Sequence, residues 1–256
     1  MKTKIFTIFL LLAGTTVVLG RDFSLSTGAG GVVGGFFTRY SIAADGVVEG
    51  ERLKIKATQK MNQFDYGFFG FIDATYAVFS VSFQDGRSTY KEKADVSVFG
   101  DNVDMTGKGW DSVIGLSLLG KYPFQLNEKF TISPLFGAEY QISTKQRRTQ
   151  ADGWIYDRTD GLRERDKNGN AFSLSDWNAL KFNFGVGLDY NFMDDLFVRG
   201  EFLYAIRWIT PYESKNLDLI KSQTNDKNPK LRGLASGPSL RLSMGYRFYT
   251  RAGDEN

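Results

Sequence analysis

The sequence predicts an all-β chain, an eight-stranded antiparallel up-and-down β-barrel that crosses a membrane. Three observations predict it: segments in which apolar and polar residues strictly alternate, connections that are long and short by turns, and aromatic residues gathered at the segment ends. Alternation marks an extended chain with two unlike faces. The 28 glycines, above the usual share of roughly 7%, favour strands and tight turns over helices.

The first strand, from Phe23 to Tyr40, holds the run STGAGGVVGG. Glycines this dense suggest a phosphate cradle, but counting from Gly28 the sixth position is Val33 where a dinucleotide fingerprint needs glycine, and no Walker Lys with Ser or Thr follows. No helix-period pattern comes after it either, so no helix terminus is available to hold an anion. The run reads instead as a strand that makes room for a neighbour's bulky inward side chain.

The second strand, FDYGFFGFID, is apolar on both faces; Phe64, Tyr66, Phe68 and Ile72 are assigned outward because Asp65 and Asp73 share the other parity. In the third, Ala77, Phe79, Val81 and Phe83 oppose Ser80, Ser82 and Gln84, and in the fourth, Ile114, Leu116, Leu118 and Tyr122 oppose Gly115, Ser117 and Lys121. The fifth sets Phe130, Ile132, Phe136, Tyr140 and Ile142 against Thr131, Ser133, Gly137, Glu139 and Gln141. The sixth, LKFNFGVGLDYNF, alternates from Leu180 to Phe192 with Lys181, Asn183 and Asp189 on its polar side. In the seventh, Val198, Phe202, Tyr204 and Ile206 oppose Arg199, Glu201 and Arg207; in the last, Leu240, Leu242, Met244, Tyr246 and Phe248 oppose Arg241, Ser243 and Arg247.

Short turns are expected at Asp73-Ala74, Pro123 to Lys129 and Met193 to Asp195. Long polar connections are expected at Ala43 to Gln63, Gly86 to Gly109, Lys145 to Ala179 and Pro211 to Ala235. Barrels of the bacterial outer membrane have this rhythm, with short periplasmic turns, longer external loops and strands of about ten residues. Unpaired backbone groups in lipid are costly, so the strands must close into a ring. The apolar face then points outward, and a polar cluster of Glu139, Lys181, Asp189, Arg199, Glu201, Arg207, Arg241 and Arg247 lines the interior. Pairing Phe192 with Leu196 across the short turn sets Asp189 opposite Arg199 and Lys181 opposite Arg207. The second pair is like-charged and calls for a neighbouring carboxylate such as Glu139. A secreted lipocalin-like ligand binder would exchange the two faces. Against it stand Trp110, Tyr122, Phe130, Phe192, Trp208, Phe248 and Tyr249, placed where interfacial girdles belong.

Residues 1–20 read as a secretory signal peptide: Lys2 and Lys4, an apolar run from Ile5 to Val18, and cleavage after Gly20. Residues 21–256 form the barrel. The formal charge of +3 includes those two lysines, and the remaining charges are spread along the sequence without a basic run, which speaks against a nucleic-acid partner. With neither cysteine nor histidine in the chain, no cofactor or metal is expected. Asp166 to Asn170, DKNGN, has its glycine at the fourth place where a calcium loop needs the sixth. The longest external connection carries Trp154, Ile155 and Tyr156 among charges of both signs, and these are candidate contact residues.

The signal peptide, the eight amphipathic strands and the last strand SLRLSMGYRF with Phe248 near its end resemble the small outer-membrane barrels of the OmpA, OmpX and OmpW type and the opacity-protein adhesins. The resemblance covers residues 21 to 250 by architecture, and a tail, YTRAGDEN, follows the aromatic. It implies a monomer surrounded by outer-membrane lipid and delivered by the barrel-assembly machinery. It further implies a structural or adhesin-like role, with a host or surface ligand held by the loops, or else an OmpW-like channel for small solutes. Enzymes among such barrels use a histidine as base or proton carrier, so the resemblance also implies no catalysis here.

Overall fold

The computed structural model describes residues 23–48, 51–96, 101–150, 155–157, 178–207, 218, 221 and 230–251; the signal-peptide segment lies outside them. Eight long strands are the staves of one closed antiparallel ring: β1 (Phe23–Val48), β2 (Glu51–Asp73), β3 (Ala77–Val96), β4 (Asp101–Lys121), β6 (Phe130–Gln150), β8 (Ala179–Asn191), β9 (Leu196–Arg207) and β10 (Lys230–Arg251). Two short strands, β5 (Phe124–Gln125) and β7 (Ile155–Asp157), pair onto β6 beside them. Each stave pairs with the next, β4 pairs with β6, and β1 pairs with β10 to close the ring. Phe23 faces Arg251 across that seam, so both described ends of the chain lie at the short-turn end.

Polarity follows the alternation. Outward-facing Phe184, Phe202 and Tyr246 are exposed, while Arg199 and Arg241 are buried within the ring. This is the reverse of a lipocalin, whose apolar side chains line the cavity, and the lipocalin-like alternative is corrected on that ground. On β2, Phe64, Tyr66, Phe68 and Ile72 are exposed, whereas Phe69 and Phe71 are buried. Aromatic rings cluster near the short turns: Tyr76, Tyr122 and Phe124 form a chain with centroids 6.1 and 4.9 Å apart, and Phe130 lies 4.9 Å from Tyr190. Amphipathic rings of this kind suit the boundary between hydrocarbon and water. Trp208 lies outside the described residues.

The turn after β2 is held by a residue in the left-handed region, Thr75, with φ of 55°. Its hydroxyl accepts from the Ser24 amide at 2.6 Å and donates to the Ser24 carbonyl at 3.1 Å, which ties the turn to the first residues of β1. The glycine run sits in β1, between β10 and β2. A Cβ on Gly28 would lie 2.6 Å from the Phe71 ring and closer still to the Met244 carbonyl. The missing side chain is the space Phe71 occupies.

The ladder continues where the sequence predicts polar connections. β1 runs to Val48 and β2 starts at Glu51; β3 runs to Val96 and β4 starts at Asp101. The connections expected at Ala43 to Gln63 and Gly86 to Gly109 are therefore largely paired ribbon. The physical reason is that alternation persists there with its polarity inverted. Lys54, Lys56 and Lys60 are exposed while Met61, Tyr90 and Ala44 are buried inside. Below Phe64 the outer face is apolar, as hydrocarbon requires, and the interior mixes ionic groups with buried Phe69, Phe71, Leu119 and Leu203; above it the outer face of β2 and β3 turns to lysine and arginine, and the interior mixes Met61 and Tyr90 with Thr38, Ser88 and Gln146.

Candidate functional site

Among the described residues the interior is where this fold concentrates charge away from water. β6, β8, β9 and β10 bring their inward positions together through direct register: Glu139 faces Lys181, Lys181 faces Arg207, Asp189 faces Arg199, and Glu201 faces Arg241. A buried lone charge costs several kcal/mol, so what matters is whether each finds a partner.

Glu139 is the hub of the upper cluster and is only 1% exposed. Lys181 Nζ lies 3.1 Å from its Oε1, Arg241 donates to its Oε2 at 3.0 Å, and Gln141 donates to Oε1 at 3.1 Å. Arg241 also approaches Glu201 at 3.9 Å, at the edge of an ion pair. The like-charged Lys181 and Arg207 pair is thus relieved by a carboxylate from the other neighbouring strand. Aromatic faces cover the cations: Lys181 lies 4.9 Å from the Phe36 centroid and Arg241 5.3 Å from that of Phe69.

The lower cluster is built around Arg199. Its guanidinium forks onto Asp189, with one arm at 2.7 Å, and reaches across the lumen to Asp73 on β2. Lys121, at the end of β4, completes the set by pairing with the same Asp73 oxygen. Phe71 and Phe197 lie over the Arg199 guanidinium at 5.2 and 5.1 Å. Three charged groups from three separate staves and a fourth from β9 therefore meet in one buried knot. Arg207 and Arg247 are only half-buried. Arg247 donates to the Asp194 carbonyl and to Asn191 Oδ1, each at 3.3 Å, near the short-turn end.

Asp73 belongs to this knot although its position predicts a turn. The turn begins one residue later, and Asp73 is the last inward position of β2, paired with Val78. Its shared parity with Asp65 gives it an inward position in the sequence, and the structure decides for that position over the turn. Lys121 stands on the polar face of β4 with Ser117, as the alternation predicts, and the structure adds it to the interior cluster through Asp73; Phe36, Phe69, Phe71 and Phe197 are the interior residues without a sequence signal, because an aromatic on the polar face carries no charge.

Between Asp65, Gln84, Glu139, Lys181 and Arg241 the free space is about 10 Å³, room for about one water. Among the described residues no group of His, Cys, Asp and Glu could hold a metal ion. Of the loop contact candidates, Trp154 lies outside the described residues, while Ile155 and Tyr156 belong to β7, whose backbone pairs with Thr149 and Arg148.

No protein-family model matches the chain, and no curated protein does. Among solved structures it is similar to Ail, the attachment invasion locus protein of Yersinia pestis, in complex with the heparin analogue sucrose octasulfate, at 14% identity over 88% of this chain and 99% of that one, with a TM-score of 0.30. It is similar to the outer membrane protein OprG of Pseudomonas aeruginosa at 11% identity, over 87% and 96% of the two chains, with a TM-score of 0.31. It is also similar to the outer membrane protease OmpT of Escherichia coli at 9% identity, over 91% and 98%, with a TM-score of 0.30. The barrel assignment rests on the closed ladder and its inside-out polarity, not on these likenesses.

Proposed function

We propose that this chain is a monomeric, non-conducting and non-catalytic barrel of the bacterial outer membrane whose role is structural and adhesin-like, exerted through the wall and loops it raises above the lipid. The observation that carries the reading is the filled lumen. Two ionic knots and four aromatic rings occupy the space a solute would need, and the cavity beside the Glu139 knot holds about one water. What the barrel does offer is an external wall of paired strands, since β1 to β4 continue well past the outward apolar band. Surrounding outer-membrane lipid and the assembly machinery that inserts such barrels are the partners this reading requires.

Planar bilayers test the filled lumen. Full-length protein is expected to give no discrete conductance steps, and steps of one reproducible size would favour the OmpW-like channel for small solutes instead. The adhesin-like part has its own test. Removing Arg147 to Asn170, which carries Trp154, Ile155 and Tyr156, should abolish adhesion of protein-bearing liposomes to host-cell monolayers while the barrel keeps its heat-dependent gel shift. Undiminished adhesion would take that segment out of the account.

A further inference from the structure

Glu139, Asp73 and Asp189 each have a cation beside them in the knots. Glu92 has none. It stands on β3 in the external wall, beyond the apolar band, where Ser88 and Tyr90 are buried while Thr89, Lys91 and Lys93 are exposed. Glu92 shares the parity of the buried pair and is half-buried on the inner face. In the ladder it faces Gln59 on β2 and Met105 on β4. Among the described residues no hydrogen bond or ion pair reaches its carboxylate.

The groups around it carry no charge at neutral pH. β2 brings Ala57, Gln59 and Met61 to the inner face, β3 itself brings Tyr90, and β1 brings Tyr40, which pairs with Gln59, together with Ala44. Met61 and Tyr90 are each 8% exposed and Ala44 6%, so this interior is packed. On β4 the nearest inward register positions belong to Met105 and Gly107. Charge returns at Asp101, which pairs with Val96 two rows above, and at Arg148, which pairs with Gly109 two rows below. Two rows are about 13 Å along a strand, more than the screening length of roughly 10 Å in salt. Lys91 and Lys93 adjoin Glu92 in the chain but stand on the outer face, exposed to water. A carboxyl group withdrawn from water without a cation or a donor disfavours its charged form. Burial accordingly holds Glu92 above the ordinary glutamate range.

We propose that the external wall around Glu92 is tightened by acid: with the carboxyl protonated the β2–β3 ladder closes over its apolar interior, and with it ionised the same ladder loosens. The adhesin-like face is then more ordered in weakly acid surroundings than at neutral pH. In an opened ladder the carboxyl is hydrated and titrates at its ordinary value, and in the closed ladder it titrates higher. Below the ordinary value both forms hold the proton and pH has no effect. As pH rises past it the opened form ionises first, and the closed form loses ground until its own titration is complete; beyond that point the loss is constant. Glu92 is only half-buried, so the effect stays local to the wall. The inference rests on the outer-membrane reading for the placement of this wall and is independent of whether the lumen conducts.

The test is hydrogen exchange of the full chain in detergent micelles. Amide protection at residues 57–61 and 89–93, corrected for the intrinsic rate at each pH, is compared between about pH 4 and about pH 7.5. Wild-type protection is expected to fall roughly threefold across that interval. Glu92→Gln keeps the volume and carries no charge, so its protection should stay level at the wild type's acid value; a fall equal to that of wild type would overturn the inference. Gln59→Lys sets a cation opposite Glu92 and should cancel the fall or reverse it, and persistence of the full fall would overturn the inference as well. An equal fall at residues 199–203, inside the band, would assign the effect to the ionic knots and remove Glu92 as its source. Wild-type protection that is level with pH sinks the inference alone. A chain without a heat-dependent gel shift sinks the barrel reading beneath it.

Discussion

Glu139→Gln is expected to lower the folding free energy of the barrel by about 3–5 kcal/mol, because it keeps the side-chain volume and leaves Lys181 and Arg241 as buried cations without their shared counter-charge. Both cations lie within 3.1 Å of the Glu139 carboxylate. Urea titration in detergent micelles, followed by the heat-dependent gel shift, measures the loss. Glu201→Gln is the control: its carboxylate stands 3.9 Å from Arg241, so its removal should cost less. A loss at Glu139 below about 1 kcal/mol, the scale of an exposed ion pair, would mean that water reaches these charges and that the lumen is not filled.

The second large effect concerns a ring and the glycine that makes room for it. Phe197 is 1% exposed, and a Cβ on Gly245 of the neighbouring strand would collide with the edge of its ring. Phe197→Ala should cost about 3–5 kcal/mol, the range for deleting a buried phenyl group. Gly245→Ala alone should cost about 1–3 kcal/mol by overpacking. Combined, the two should cost less than their sum by at least about 1 kcal/mol, since the alanine methyl enters space the ring has left. Strict additivity in the same urea titration would show that ring and glycine do not share that space.

Much of this was legible in the sequence, for reasons that can be located. The three-residue turn between β8 and β9 anchors its strands so tightly that setting Phe192 against Leu196 already places Asp189 across from Arg199, as the ladder does. On β2, apolar on both faces, two aspartates of one parity were enough to separate Phe64, Tyr66, Phe68 and Ile72 from the buried Phe69 and Phe71. Asp73 carries two signals, the inward parity of Asp65 and the turn-like pair Asp-Ala, and a contact to Arg199 across the lumen leaves no local trace that would choose between them. The ribbons beyond the band are hidden in the sequence for a different reason. Lys54, Ile55, Lys56 and Ala57 do alternate, but with the outward residue charged, and a search for greasy outer faces passes over them.

The reversal of polarity along the wall has a mechanical consequence. A stave with a uniform pattern could slide up or down through the bilayer at little expense, but here either displacement would put lysines into hydrocarbon or phenylalanines into water. The protein therefore carries its own waterline, written residue by residue around β1 to β4, and its immersion depth is set by covalent sequence instead of by the thickness of the surrounding lipid.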